Sequence, residues 1–152
     1  MPNVISDASG LIVLDNIDMT LILKALYGKI HLTEEVYREF GKEVETWLEI
    51  QPVANKNYLK ILNTLIDLGE ASTIALALEM EDSLMILDDL KARKVATKLN
   101  LKFTGLLGVI LKAKQPGIIP SVSETLMKLK AVNFRMSPAI VQEVLKLAQE
   151  FD

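Results

Sequence analysis

Four short apolar stretches set the frame of this chain: NVIS before Asp7, KIHL before Thr33, SLMIL before Asp88 and KFTG before Leu106. Each runs straight into a helical segment. Strands of four or five residues without polar alternation are buried on both faces, and strands alternating with helices build a parallel sheet covered on both sides. The spacing predicts an α/β fold whose functional crevice lies beyond the carboxyl ends of the strands.

The intervening segments carry helix signals. SGLIVLDNI predicts a helix from about Ser9, and MTLILKALYG a second one, capped by Asp18 and stopped by Gly28. Thr33 is placed to N-cap EEVYREFGKEVETWLEI, with Gly41 a break or bend inside it. NYLKILNTLI, DLGEASTIALALEME, LKARKVATKLN and LLGVILKAK follow as helices; QPGIIPS is a turn, and two terminal helices span about Ser121–Ala131 and Ser137–Phe151. At 152 residues the expectation is one domain over 1–152, with 121–152 a C-terminal helical extension.

Composition removes several chemistries. The chain has no cysteine and a single histidine, His31, so thiolate and imidazole-rich metal sites are excluded and any metal is held by oxygen. No run reaches the ~18 apolar residues of a membrane span. MPNVISDASG lacks the basic opening and apolar stretch of a secretory signal, so a cytoplasmic location is expected. The net charge of −3 hides an asymmetry: residues 1–89 carry 6 basic against 16 acidic side chains, residues 90–152 carry 11 against 4. Such a division suggests a cation site beside a polyanion track; ordinary solvated helix faces are the plain alternative.

In LMILDDLKAR a buried strand ends on the adjacent acids Asp88 and Asp89. Paired carboxylates repel and lose hydration when covered, an arrangement a cation relieves; the plain alternative is helix capping. Asp7 follows the first strand in the same way. Glu39 lies beside the apolar Val36, Tyr37 and Phe40, and Glu70 falls in the first turn of its helix, where an ionised acid is favoured. Lys91, Lys94 and Lys98 share one helix face that suits a phosphate backbone or, equally, solvent. His31 is read as a strand residue with a satisfied ring and no chemistry, and Tyr37 and Trp47 as core or interface.

Taken together, VISDASGLIVL, VYREF, LDLGEASTIALA, ILDDLKAR and TGLLGVILKAK, in this order, resemble the PIN-domain nucleases, most closely the VapC-like toxin relatives, and the similarity continues through NFRMSPAIVQEVLKLA. The resemblance implies a Rossmann-like three-layer α/β/α sandwich with a central parallel sheet, and acids that bind Mg²⁺ or Mn²⁺ and cut single-stranded RNA, leaving a 5′-phosphate and a 3′-hydroxyl. The family's catalytic acids fall on Asp7, Glu39, Glu70 (a Glu where Asp is common), and Asp88 or Asp89. The metal falls to Asp7, Asp88 and Asp89. Ser9 takes the hydroxyl position, and Arg93 matches an arginine that pairs with acids or phosphate. RNA contact then involves Ser9, Lys91, Arg93, Lys94 and Lys98. A cognate antitoxin and a homodimer are the implied partners. Two other readings stand beside this one. In the first, an inactive PIN-like module receives basic side chains from a partner. In the second, a phospho-receiver domain, the order of lone and paired aspartates is the reverse of that seen here.

Overall fold

The computed structural model describes residues 2–150. One parallel sheet runs in the order β3-β2-β1-β4-β5, built from β1 (Asn3–Ser6), β2 (Ile30–Thr33), β3 (Leu48–Gln51), β4 (Ser83–Ile86) and β5 (Lys102–Thr104). Successive strand residues feed opposite layers. Val4, Ile30, Leu32 and Ile86 meet α1 (Ala8–Asn16), α2 (Leu21–Tyr27) and α7 (Leu106–Lys114), through Leu11, Leu14, Leu23, Val109 and Ile110. Ile5 and Met85 meet α4 (Lys56–Leu62), α5 (Leu68–Glu79) and α6 (Leu90–Lys98), through Leu59, Ile74, Ala75, Ala92 and Ala96. This double burial is why the strands show no polar alternation, and it makes the three-layer α/β/α sandwich that the resemblance implies.

The terminal helices α8 (Val122–Ala131) and α9 (Pro138–Leu147) pack on α7, and Val122, Leu126, Leu129 and Val144 join the same core as α1 and α7. The last helix stops at Leu147, short of the expected end at Phe151: Ala148 caps it and Gln149 turns to φ 59°, while Phe151 itself lies outside the described residues. No helix of the described residues is long and apolar enough to cross a membrane.

Two further sequence expectations change. The helix expected from Thr33 to Ile50 is only α3 (Glu34–Phe40); Gly41, at φ 75°, ends it in the left-handed conformation. LEIQ instead supplies β3, which pairs with β2 in the register Ile30↔Leu48 to Thr33↔Gln51. Its acid Glu49 and the exposed Ile50 reflect an edge strand of which only Leu48 is buried. Asp18 does not cap α2. The Met19 amide bonds back to Leu14, closing α1, and this turns Asp18 to φ 56°, so Thr20 stands at the cap position instead.

From β3 the chain returns through α4 and α5 across the sheet and lays β4 beside β1. The strand order therefore reverses between β1 and β4. A crevice opens at such a reversal, outside the carboxyl ends of those two strands.

Candidate active site

Asp7 is the first residue beyond β1, and Asp88 the second beyond β4. The ladder continues past the strands, with the Asp7 amide donating to Ile86 O at 3.0 Å, so the two acids are held side by side. Asp7 N-caps α1: its Oδ1 accepts from Gly10 N–H at 3.0 Å, and its Oδ2 faces the Asp88 N–H at 3.4 Å. The side chain is almost wholly buried. Burial is the main force that pushes its carboxyl up to about 7; the charges of Asp88 and Glu70 add to it, and the two N–H groups only partly oppose it.

The remaining acids reach this point from three other elements. Glu70, in the first turn of α5, is raised by burial first, and then by the charges of Asp67, Asp89 and Glu39. Glu39 arrives from the last turn of α3: a Cβ built on Gly69 would stand 2.9 Å from its Oε1, so the bare glycine leaves room for the carboxylate against α5. A relay of hydroxyls fixes the two helices to each other. Val36 N–H donates to Thr33 Oγ1 at 3.0 Å, and Ser72 Oγ donates to Gly69 O at 2.7 Å; the 2.6 Å bond between the two hydroxyls therefore runs from Thr33 to Ser72. Every group in the relay is satisfied in that one direction.

The aspartate pair divides. Asp89 caps α6, with Oδ2 accepting from Ala92 N–H at 2.9 Å. Asp88 turns the other way, toward α7. Both its oxygens take the Leu106 N–H, at 3.1 and 3.3 Å, and Arg93 Nη2 lies 3.4 Å from Oδ1. Burial raises Asp88, against the Leu106 N–H and the Arg93 charge.

Of the expected RNA contacts, Ser9 is exposed in the first turn of α1, and Lys91, Lys94 and Lys98 are exposed along α6, whose first turn borders the acids. Arg93 is half-buried and engaged within the fold, its Nε on Leu87 O at 2.7 Å. Trp47 is buried in the core, as expected; His31 is a buried residue of β2, but its Nδ1 finds no hydrogen-bond partner, so the ring is not satisfied as expected.

Sequence reasoning passed over two acids. Asp67 stands at the N-cap position of α5 without making the cap bond and raises Glu70 from nearby. Only its spacing of three from Glu70 marked it. Glu35 is buried beside Arg38 at 3.6 Å, with Oε1 lacking a partner. Nothing in EEVYREF separates it from its solvated neighbours.

A sequence profile of the PIN domain matches residues 3–150. The chain belongs to the PIN-domain family. No curated protein and no solved structure matches it. PIN domains are generally nucleases, so a nuclease-type function is the coarse reading that the family carries.

The donor set of this PIN domain suits a hard divalent ion: it is all oxygen, and its central member is a buried carboxylate short of positive charge. Its geometry stops short. Among the described residues no three carboxylate or imidazole side chains meet closely enough to form a ready-made metal site. Asp88 and Asp89 are turned to the helix N-termini that flank the crevice.

Proposed function

We propose that this PIN domain is a Mg²⁺- or Mn²⁺-dependent endoribonuclease for single-stranded RNA, acting as the toxin of a toxin–antitoxin pair. The observation that carries the reading is Asp7, a nearly fully buried carboxylate with other acids around it and only two N–H groups in support. A fold keeps such a group at a crevice when a cation completes it.

In this reading Asp7, Asp88 and Asp89 hold the ion, with Glu39 and Glu70 completing the acidic wall. When bound, a divalent ion supplies charge neutralisation at the phosphate and acidifies water near neutral pH. The chain's own residues do the rest. Asp7 is fixed by Gly10 and cannot rotate away, so it sets the position of the charge. Glu70 and Glu39, on helices locked by the Thr33–Ser72 relay, orient water through hydrogen bonds. Glu70, pushed upward by burial, is a stronger base than a solvated glutamate. Lys91 leads the basic face that tracks the backbone, and Lys98 stands about 10 Å farther along α6. An antitoxin or a second copy of the chain would cover the exposed apolar Met127, Ile140 and Leu147 of the terminal helices.

A second reading keeps the fold and drops the chemistry, leaving a module that receives a partner's basic side chains. It is favoured by the absence of three convergent acids among the described residues. One experiment separates the two: incubation of single-stranded RNA with the protein in Mg²⁺ or Mn²⁺ and in EDTA, alongside calorimetric Mn²⁺ titration. The nuclease gives cleavage that EDTA abolishes, and saturable binding. Equal cleavage in EDTA, or no saturable binding, sinks it.

A further inference from the structure

Arg93 is one of four basic residues along α6, but its surroundings differ from those of the lysines. Its Nε donates to Leu87 O at 2.7 Å, the first carbonyl beyond β4. Its Nη2 reaches Asp88 Oδ1, and the guanidinium lies 5.2 Å from the centre of the Phe103 ring on β5. Gly105 completes the arrangement. A Cβ there would collide with Arg93 Nη2 and with Asp88 Oδ1, and a glycine alone lets the fork, the carboxylate and the start of α7 share one place. Asp88 in turn receives the Leu106 N–H on both oxygens. One side chain thus ties the end of β4, the acid after it, the neighbouring strand and the next helix.

We infer that Arg93 is a positioning residue that acts through Asp88, and that it does not read the RNA backbone as Lys91 and Lys94 do. Planarity carries the role. A guanidinium presents donors in a fixed fork, so it holds a carbonyl and a carboxylate at once while its face rests on an aromatic ring. An ammonium has the charge without the fork. The inference rests on the nuclease reading for its kinetic consequence and on geometry alone for its structural one, so the two fail separately.

The test compares Arg93→Lys, Gly105→Ala and Lys91→Ala with the wild type. Two readouts are taken: Mn²⁺-dependent cleavage of a labelled single-stranded RNA over a series of salt concentrations, and the amide signal of Leu106 in the ¹⁵N NMR spectrum. Partners of metal-holding carboxylates typically change activity by about 10–100-fold. Arg93→Lys is expected to lower kcat by that order while KM and its salt dependence stay at the wild-type values. Gly105→Ala, which changes no charge, is expected to do the same. Lys91→Ala should instead weaken KM and flatten the log–log salt slope by about 0.7, the loss of one phosphate contact on a single strand. The Leu106 amide should shift in Arg93→Lys and stay in place in Lys91→Ala; Gly105→Ala, which moves its neighbour's amide by itself, is read by kcat and salt slope alone. A slope lowered by about 0.7 in an Arg93 variant overturns the inference, because the side chain then touches phosphate. So does wild-type kcat in Arg93→Lys. If Arg93→Lys does not fold, Gly105→Ala decides by kcat and salt slope, wild-type kcat there overturning the inference. If the wild type cleaves no RNA, the nuclease reading falls, and the Leu106 amide alone decides the role of Arg93: unmoved, it removes that role too.

Discussion

Asp7 and Glu150 are both carboxylates set against a helix N-terminus, and the fold treats them in opposite ways. Glu150 accepts from Val122 N–H at 2.7 Å, from Ser123 N–H and Ser121 Oγ at 3.0 Å each, and from Lys114 Nζ. Those donors hold it down at about 2, with the Lys114 bond foremost. Asp7 has one good N–H bond, one long one, and acids for neighbours, and it stands at about 7. Where a carboxylate serves structure, this chain surrounds it with donors. At the crevice it leaves one short of positive charge, and the shortfall is what marks the site.

The largest effect is expected at Asp7 itself. Asp7→Asn keeps the shape and the cap acceptor but removes the charge, and should lower cleavage by more than about 100-fold, beyond the effect of outer partners. Metal-dependent RNA cleavage assays check it, and a variant within a few-fold of wild type would erase the distinction drawn from Glu150.

The second expectation concerns pH. The Asp7 carboxyl titrates near 3.9 in the unfolded chain and at about 7 in the fold. Between those values the native state holds a proton that the unfolded state has lost, so metal-free stability falls as pH rises through the window and levels off above it. The expected loss is up to about 2–4 kcal/mol. Thermal melts in EDTA from about pH 4 to 8 should show a steeper slope in the wild type than in Asp7→Asn, where Glu70 and Asp88 remain raised. Mn²⁺ above pH 7 should raise the melting temperature of the wild type more than that of the variant.

The smallest effect is expected at Glu150. Its depressed value works with the opposite sign: the stabilisation is present above the ordinary carboxylate range and is lost as pH falls through it toward about 2. Glu150→Gln should cost about 1 kcal/mol, or about 2–4 °C, with cleavage unchanged. A loss of activity matching that of Asp7→Asn would mean that the two carboxylates belong to one system.

Much of this was legible in the sequence because it is local. NVIS and SLMIL are doubly buried strands, and an acid just beyond a strand of a parallel sheet is placed by topology alone. LEIQ was not legible. This edge strand is only partly buried, and EVETWLEI carries the acids and apolar spacing of a helix, so only the open edge of β2 decides its state. Pairing of Arg93 with an acid was legible, but its tie to the end of β4 was not, because that partner is the backbone carbonyl of Leu87, which leaves no trace in side-chain pattern. Asp88 and Asp89 looked interchangeable; the helices α6 and α7 separate them, one acid turned to each.

The reversal of strand order has a consequence during synthesis. The amide of Asp88 meets a carboxylate 81 positions earlier in the chain, and the Leu106 amide that steadies Asp88 comes 18 positions later still. A nascent polypeptide still on the ribosome therefore lacks the crevice until its second half has emerged and the return from β3 to β4 is complete. Under the ribonuclease reading proposed above, an unfinished copy is harmless to the message that encodes it.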